Sequence, residues 1–327
     1  MKLLVELSME CESFARSEAM AAASALGGRP KALLSAPGVL VMDTSADASA
    51  LVSRLGLCHH VSEYLGDCPP KDVEAFVRTV DVQGPIRVRS TKVGVNAVDL
   101  ASVSKRAGAV LGGTRGVDLH DPKSEVRIVF SERAWLGRLL GSVDRPSFES
   151  RKNRYMPFFY PASVHPKYAR ALVNVSMVRK GERLLDPFCG TGAIIAEASL
   201  IGVQAVGTDL SDKMIEGSRR NLKHIGVDAD LNVCDVGDIS RVVGGVQGIA
   251  TDPPYGKSTS TKGESIPDLY KRSFRAFSEV LDSGSRAAIA VPDKKLLQDA
   301  DAFKLIESHE LWVHRSLTRH FCVLEKI

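Results

Sequence analysis

The stretch that decides the fold is "LLDPFCGTGAIIAEA", residues 184–198, in which an apolar run meets an acid, a glycine loop and a second apolar run. The first run predicts a buried β-strand, and the run after Gly190 and Gly192 predicts a helix that begins at the loop. Ligands of open α/β sheets bind at the carboxyl ends of strands, where glycines let the backbone approach closely. We therefore expect a ligand site at this loop.

The residues around the loop indicate the charge of that ligand. A dinucleotide site favours G-x-G-x-x-G, but here the third glycine is absent and Asp186 precedes the loop. A carboxylate repels a pyrophosphate and attracts an ammonium group. The loop therefore favours a cationic ligand.

Two further acids follow the next strands of the same pattern. "AVGTDLS" places Asp209 at the end of the second predicted strand, where a carboxylate binds ribose hydroxyls. "VCDVGDI" places Asp235 after the third, where it can accept from an adenine amine. Three acids at successive strand ends and one glycine loop match an adenosine ligand with a positively charged amino-acid tail.

The rest of this half of the chain predicts an α/β fold. From residue 166 onward, helical and strand patterns alternate, which is typical of a parallel sheet covered on both faces. The tail "ELWVHRSLTRHFCVLEK" predicts a final hairpin.

The reacting centre is predicted from "TDPPYGKSTS", residues 251–260. The exocyclic amine of a base is a poor nucleophile because its lone pair is delocalised into the ring. Asp252 can accept one N–H and serve as proton acceptor, and the carbonyl of Pro253 can accept the other. Pro254 stiffens this backbone, and Tyr255 offers a stacking face to an unstacked base.

These four motifs, "DPFCGTG", "GTDLS", "CDVGD" and "DPPYG", resemble a class I S-adenosylmethionine-dependent methyltransferase of the amino-group type. The resemblance implies a Rossmann-like, seven-stranded mixed sheet and S-adenosyl-L-methionine as cofactor. It implies a catalytic set of Asp252, Pro253, Pro254 and Tyr255. It also implies cofactor contacts, with Ala169 nearby, from Ser163, Pro166, Asp186, Pro187, Phe188, Gly190, Thr191, Gly192, Asp209, Leu210, Asp235, Val236 and Asp252.

Charge is unevenly distributed along the chain. Residues 81–180 carry 18 Lys and Arg against 8 Asp and Glu, whereas the chain as a whole has a net charge of +4. Such an excess is the expected footprint of a polyanionic partner. The candidate RNA contacts are Arg87, Arg89, Lys92, Lys105, Arg106, Arg151, Lys152, Arg154, Lys257 and Lys262.

The first half of the chain predicts an α+β organisation and resembles an RNA-binding module of tRNA-modifying enzymes. "IRVRSTKVG" alternates apolar and basic residues as a half-exposed strand does, and a helical pattern and two strand patterns follow it. This stretch resembles a THUMP domain. We expect a ferredoxin-like unit over residues 1–60, THUMP over 61–143, a linker over 144–165 and the methyltransferase domain over 166–327.

Nearly the whole chain resembles the archaeal-type tRNA (guanine(10)-N2)-methyltransferases and dimethyltransferases, on "PFFYPASVHPKYARALVNVS" and "DPPYGKSTST". The resemblance implies tRNA as partner and transfer to the N2 amine of a guanosine. Alternatives are an amino-methyltransferase acting on another tRNA position or on rRNA, and an RNA-binding protein with an inactive fold. Thiouridine-forming THUMP enzymes need a pyrophosphatase-type loop and a cysteine pair, and the sequence has neither motif.

The composition excludes other classes. No apolar run approaches the roughly 18 residues that span a bilayer, and Glu6 and Glu10 interrupt the N-terminal apolar stretch too early for a signal peptide. The six cysteines form no C-x-x-C pair, and the adjacent residues Cys58 to His60 diverge in direction, so we expect free thiols and no metal. We expect a cytoplasmic monomer that binds no membrane.

Overall fold

The computed structural model of this chain describes residues 1–94, 98–113, 115–161, 163–255, 263–315 and 317–327. These residues divide into two compact units. The first unit comprises Met1–Glu12, Leu26–Ser53 and Cys58–Val143. The second unit comprises Ser13–Ala25, Arg54–Leu57 and Asp144–Ile327. Two short segments from the N-terminal part of the chain therefore belong to the same unit as its C-terminal half.

The described residues form strands and helices that are numbered here in chain order. The strands are β1 (Lys2–Leu7), β2 (Lys31–Ala36), β3 (Val39–Asp43), β4 (Cys58–Cys68), β5 (Ile86–Lys92), β6 (Ser124–Phe130), β7 (Ala134–Ser142), β8 (Arg183–Asp186), β9 (Gln204–Asp209), β10 (Asp230–Val233), β11 (Val246–Thr251), β12 (Leu281–Val291), β13 (Phe303–His314) and β14 (Leu317–Lys326). The helices are α1 (Glu12–Ala25), α2 (Ala48–Arg54), α3 (Val73–Val77), α4 (Leu100–Gly112), α5 (Arg145–Ser150), α6 (Pro166–Val175), α7 (Ala193–Leu200), α8 (Asp212–Ile225), α9 (Ile239–Val242) and α10 (Ile266–Val280).

The first unit contains one seven-stranded sheet in the order β2-β3-β1-β4-β7-β6-β5. The predicted strand with alternating basic residues is confirmed as β5, which pairs in parallel with β6. Strand β2 (Lys31–Ala36), by contrast, has no sequence pattern that predicts a strand. It lies at the sheet edge against β3, and all of its residues except Ala36 are exposed. A strand with no buried face leaves no hydrophobic alternation to recognise.

The second unit contains a seven-stranded mixed sheet in the order β10-β9-β8-β11-β12-β14-β13. Strands β10, β9, β8, β11 and β12 pair in parallel, and β14 runs antiparallel to both β12 and β13. The predicted α/β fold with a seven-stranded mixed sheet is confirmed. The predicted hairpin is also confirmed, although β13 begins earlier, at Phe303.

The topology of this sheet sets where a ligand can bind. Strand β9 lies on one side of β8 and β11 on the other, so the strand order reverses at β8 and a crevice forms at its carboxyl end. Because β14 is antiparallel, with His320 opposite Val291 at the end of β12, its first residues lie at that same edge. Residues from β8, β11 and β14 can therefore meet there.

The residue ranges given above contain neither a membrane-spanning helix nor a metal-binding cluster. No helix in those ranges is both long and apolar enough to traverse a bilayer. The same ranges contain no group of three or more His, Cys, Asp or Glu side chains arranged to hold a metal ion. The cysteines Cys11, Cys58, Cys68, Cys189, Cys234 and Cys322 are free thiols and buried.

Candidate active site

Asp186 ends β8 and is almost fully buried, with 1 % of its surface exposed. Its Oδ1 accepts hydrogen bonds from the Thr251 hydroxyl at 2.7 Å and from the Phe188 N–H at 3.2 Å. Burial raises the pKa of Asp186 to about 7, and these two donors oppose that rise. Thr251 is the last residue of β11, so the bond also joins the two strands that flank the crevice.

The glycine loop has the backbone that its sequence predicts. Gly190 has φ +50° and Gly192 has φ +83°, a left-handed conformation that favours glycine. A Cβ on Gly192 would lie only 2.2 Å from the Ser218 Oγ, so a side chain here would also have to displace Ser218. Helix α7 begins directly after Gly192. Thr191 donates a hydrogen bond of 3.0 Å to the Ser163 hydroxyl, which brings that predicted contact to the loop.

Asn221, on α8, is a buried residue that the sequence analysis missed. Its side-chain amide donates to the carbonyls of Thr191 and Phe158, each at 3.0 Å, and its Oδ1 accepts from the Phe158 N–H at 2.8 Å. Asn221 thus fixes the glycine loop to the segment before α6. Pro166 and Ala169, predicted near the cofactor, are buried on α6.

Asp209, at the end of β9, is held against the glycine loop. Its Oδ2 accepts from the Gly190 N–H at 3.0 Å and its Oδ1 from the Ser211 N–H at 2.9 Å. Burial raises its pKa, and the two backbone donors oppose that effect. Leu210 beside it is 37 % exposed and borders the same strand end.

Asp235 precedes the short 3-10 turn Val236–Asp238 and accepts from the Gly237 N–H at 2.8 Å. The guanidinium of Arg272, on α10, also binds this carboxylate. The same guanidinium binds Glu264, with its Nη2 2.7 Å from Oε2. Arg272 was missed because nothing in the spacing of residues 235 and 272 indicates that they meet. The predicted adenine acceptor is therefore one end of a carboxylate–arginine–carboxylate chain.

The predicted reacting centre forms a compact cluster after β11. The Tyr255 hydroxyl donates to Oδ1 of Asp252, and the guanidinium of Arg319 lies 3.3 Å from Oδ2. Arg319 also donates from Nε to the Tyr255 hydroxyl at 2.9 Å. Burial raises the pKa of Asp252, while the charge of Arg319 and the Tyr255 hydrogen bond lower it. Pro253 is buried and Pro254 is half-buried beside them.

The candidate RNA contacts of the first unit differ in how much charge they present. Around a cavity of about 680 Å³, Arg87 donates to Glu125 at 2.9 Å, and Arg127 is buried between Glu6 and Glu125. Arg89 Nε also lies 3.9 Å from Glu125 Oε2, but its side chain is 59 % exposed. The remaining candidates of the first unit are Lys92 and Lys105, both exposed, and Arg106, which pairs with Glu74.

The candidate RNA contacts in the segment before α6 also differ in how much charge they present. Arg151 binds the buried Glu197 at 2.7 Å, and Lys152 pairs with the exposed Glu149, so both cations already have an acidic partner in this chain. Arg154 is exposed, and its guanidinium lies 4.7 Å from the centre of the exposed Tyr155 ring. Lys257 and Lys262 lie outside the described residues. Arg154 is therefore the better candidate in this segment.

The chain matches a protein-family model and is similar in sequence and in fold to known proteins. Residues 153–320 match the model of the RMKL-like methyltransferase domain family. The chain is 34 % identical over the full length of both proteins to a tRNA (guanine(10)-N2)-dimethyltransferase of Methanothermobacter thermautotrophicus. It is 30 % identical to a tRNA (guanine(6)-N2)-methyltransferase of Thermus thermophilus, over 66 % of this chain and 65 % of that one. Among solved structures, TrmN from Thermus thermophilus has a similar fold, with a TM-score of 0.58, 23 % identity and full coverage of both chains.

Proposed function

Because the chain belongs to the family of the tRNA (guanine(10)-N2)-dimethyltransferases, we propose that it methylates the exocyclic N2 amine of guanosine 10 in tRNA, once or twice, with S-adenosyl-L-methionine as donor. The observation that carries this proposal is the hydrogen bond between Thr251 and Asp186. It joins the residue before Asp252 to the strand residue that precedes the glycine loop, so an amine acceptor and a cofactor loop share one crevice.

The residues around the crevice suit S-adenosyl-L-methionine, which supplies an electrophilic methyl group when it is bound. Carboxylates end three neighbouring parallel strands or the turns after them, at Asp186, Asp209 and Asp235. The glycine loop between the first two offers backbone without side chains. A buried acid beside that loop suits an ammonium group, and the other two suit hydroxyl and amine donors. We therefore assign the cofactor contacts to the loop and these acids.

Asp252 would orient the substrate amine and receive its proton. Its carboxylate has two oxygens with about four acceptor sites, and the described contacts of Tyr255 and Arg319 use one site on each oxygen. Free sites remain for an N–H of guanine, and the carbonyl of Pro253 can accept the second. Holding the nitrogen in this way localises its lone pair for attack, and positioning of this kind supplies most of the acceleration.

RNA binding is assigned to the basic part of the first unit. We propose the predicted division into residues 1–60, a THUMP module over 61–143, a linker over 144–165 and a catalytic domain over 166–327. Within residues 1–60, Ser13–Ala25 and Arg54–Leu57 belong to the second compact unit. The exposed charges of Arg89, Lys92 and Lys105 support phosphate contacts, which give affinity without reading sequence. Arg154 and the exposed ring of Tyr155 offer a cation and a stacking face nearer the catalytic domain.

Guanosine 6 of tRNA is the second candidate target. A relative named for that position is 30 % identical, but its match spans 66 % of this chain. The relative named for position 10 matches over the full length of both proteins, which favours position 10.

Incorporation of labelled methyl groups into a set of transcripts tests the target. The parent tRNA, its G10→A and G6→A variants and an rRNA fragment are incubated with the protein and labelled cofactor. We expect incorporation into the parent and the G6→A variant only. Loss with G6→A instead would move the target to position 6, and preference for the rRNA fragment would exclude tRNA.

The inactive-fold alternative is tested in the same assay. Asp252→Ala is expected to lose incorporation while calorimetry shows nearly unchanged cofactor affinity. An Asp252→Ala protein with wild-type turnover would refute the catalytic assignment. A wild-type protein that binds cofactor but methylates no RNA would support the inactive fold.

A further inference from the structure

We propose that Arg319 is a positioning residue for methyl transfer, holding the Asp252 carboxylate and the Tyr255 hydroxyl in the arrangement that receives the substrate amine. This inference rests on the proposed function for its consequence in catalysis. Its structural basis is independent of which RNA is methylated.

The three side chains form a closed ring of contacts. Arg319 reaches Oδ2 of Asp252 with Nη2 at 3.3 Å and the Tyr255 hydroxyl with Nε at 2.9 Å. The Tyr255 hydroxyl in turn donates to Oδ1 of Asp252. One planar guanidinium therefore fixes two groups at once, which a lysine ammonium on a flexible stem does less well.

The ring is shielded from water. The Arg319 side chain is 15 % exposed and that of Asp252 is 10 % exposed. An ion pair in such surroundings is screened much less than one on the surface, and loss of one partner leaves a costly unpaired charge. Arg319 is thus placed to influence the Asp252 carboxylate much more strongly than a salt-bridge partner on the protein surface would.

The strand that carries Arg319 is firmly anchored. Phe321, two residues further along β14, is fully buried and stacks on Phe14 with ring centres 4.4 Å apart and on Tyr168 at 5.5 Å. Arg319 itself pairs with Leu311 of β13. The buried Phe321 and the pairing with β13 fix the backbone of β14 at this point. Arg319 can therefore impose a defined position on Asp252.

Arg319 also sets the proton affinity of Asp252. Tyr255 and Arg319 act on this carboxylate, and its charge acts in turn on the nearby Tyr270 of α10 and Asp186 of β8. Burial raises the pKa of Asp252, and Arg319 is the cation that opposes it. An adjacent arginine lowers the pKa of an aspartate by about 1 to 3. Without Arg319, Asp252 is expected to hold its proton to a higher pH, and the protonated carboxyl is a weaker N–H acceptor that cannot take up the amine proton.

The direct test is the titration of Asp252 in the full chain with ¹³C-labelled aspartate carboxyls. The Asp252 resonance is identified by its absence in Asp252→Asn. In Arg319→Met its pKa is expected to rise relative to wild type, because the cation that opposes the effect of burial is gone. The matched control is Arg286→Met, since Arg286 on β12 also pairs with an acid of β14, Glu325, at 3.7 Å. The Arg286→Met control is expected to leave the Asp252 titration unchanged.

Activity supplies the second readout. For Arg319→Met, the acid limb of the plot of kcat against pH is expected to move to higher pH by as much as the pKa of Asp252 rises. Below that limb, kcat then falls about tenfold for each pH unit by which the limb moves. Arg319→Lys retains the charge and is expected to keep the limb near its wild-type place while lowering kcat, because it cannot hold both partners.

The outcomes separate this inference from the proposed function. An unchanged Asp252 titration in Arg319→Met overturns the inference, whether or not the enzyme methylates tRNA. A wild-type protein that methylates no RNA overturns the proposed function, while the titration still decides the role of Arg319 at the carboxylate. If Arg319→Met does not fold, Arg319→Gln, which also removes the charge, is titrated in its place: a raised Asp252 pKa supports the inference, and an unchanged one overturns it.

Discussion

The hydroxyl of Thr251 donates a hydrogen bond of 2.7 Å to Oδ1 of Asp186 and so joins the end of β11 to the end of β8. The residue after Thr251 is the proposed amine acceptor, and the residues after Asp186 are the proposed cofactor loop. This one buried hydrogen bond therefore holds the proposed amine acceptor and the proposed cofactor loop next to each other.

Replacing Thr251 by valine tests this link. Thr251→Val removes a donor to a buried carboxylate whose pKa burial already raises to about 7. The carboxyl is then expected to protonate more readily and to attract an ammonium group less, so that cofactor Kd at pH 7 rises about tenfold. Calorimetry measures this, and Thr251→Ser, which keeps the hydroxyl, is the control. Equal affinities of wild type and Thr251→Val would contradict the account.

Gly192 is predicted to be intolerant of a side chain for two separable reasons. Its φ is +83°, and a Cβ would lie 2.2 Å from the Ser218 Oγ. Gly226 has the same φ of +83° with nothing within 4 Å of its Cβ position. Gly226→Ala is therefore expected to cost about 1 kcal/mol of unfolding free energy from backbone strain alone. Gly192→Ala adds the clash and is expected to cost about 2 to 4 kcal/mol. Thermal unfolding measures both, and equal losses would show that packing at Ser218 contributes nothing.

Glu18 on α1 makes the stability of the second unit depend on pH. It accepts from the Gly56 and Leu57 N–H groups at 2.8 and 2.7 Å and from Asn174 at 2.8 Å, yet burial raises its pKa from 4.5 to about 7. A carboxyl with a raised folded-state pKa contributes stability that is fully present below about pH 4.5 and is lost as pH rises through 7.

Unfolding free energy is therefore expected to fall between about pH 4.5 and 7, by up to about 3 kcal/mol from this group. Denaturant titrations at several pH values measure the slope. In Glu18→Gln the slope is expected to be smaller because that position no longer titrates. A slope that is the same in both proteins would exclude Glu18 as its source.

The RNA-binding assignment predicts that charge reversals in the first unit weaken tRNA binding, whereas a charge reversal in the second unit does not. The double variant Arg89→Glu and Lys105→Glu is expected to weaken tRNA binding and to reduce the slope of log K against log salt by about 1 for each phosphate that the protein no longer neutralises. Cofactor affinity is expected to stay unchanged. The control is Arg241→Glu, a second-unit arginine whose side chain is 80 % exposed. Equal weakening by the control would mean that any surface charge has this effect.

The sequence predicts the parts of this fold and site that follow from local pattern. Alternating strands and helices, the glycine loop and the strand-end acids appear in the structure where the pattern predicts them. Arg319 lies far along the chain from Asp252, and only the antiparallel course of β14 brings it to the same edge. Arg272 and Asn221 are missed for the same reason, since contacts made by the sheet order leave no trace in local spacing.

Helix α1 shows a second limit of local reasoning. Its amphipathic pattern predicts a helix, which the structure contains over Glu12–Ala25. The pattern does not indicate which core receives it. Phe14 stacks on Phe321 and Glu18 binds Asn174, so Ser13–Ala25 belongs to the second unit. Removing the N-terminal residues as a block would therefore also remove part of the second unit.

Nucleoside mass spectrometry tests the central claim most directly. An unmodified tRNA transcript is incubated with the protein and S-adenosyl-L-methionine, and the fragment containing position 10 is isolated and digested to nucleosides. The account predicts N2-methylguanosine or N2,N2-dimethylguanosine from that fragment, distinguished from ring-methylated isomers by chromatography. Methylation of a different nucleoside, of a ring nitrogen, or of no nucleoside at all would contradict it.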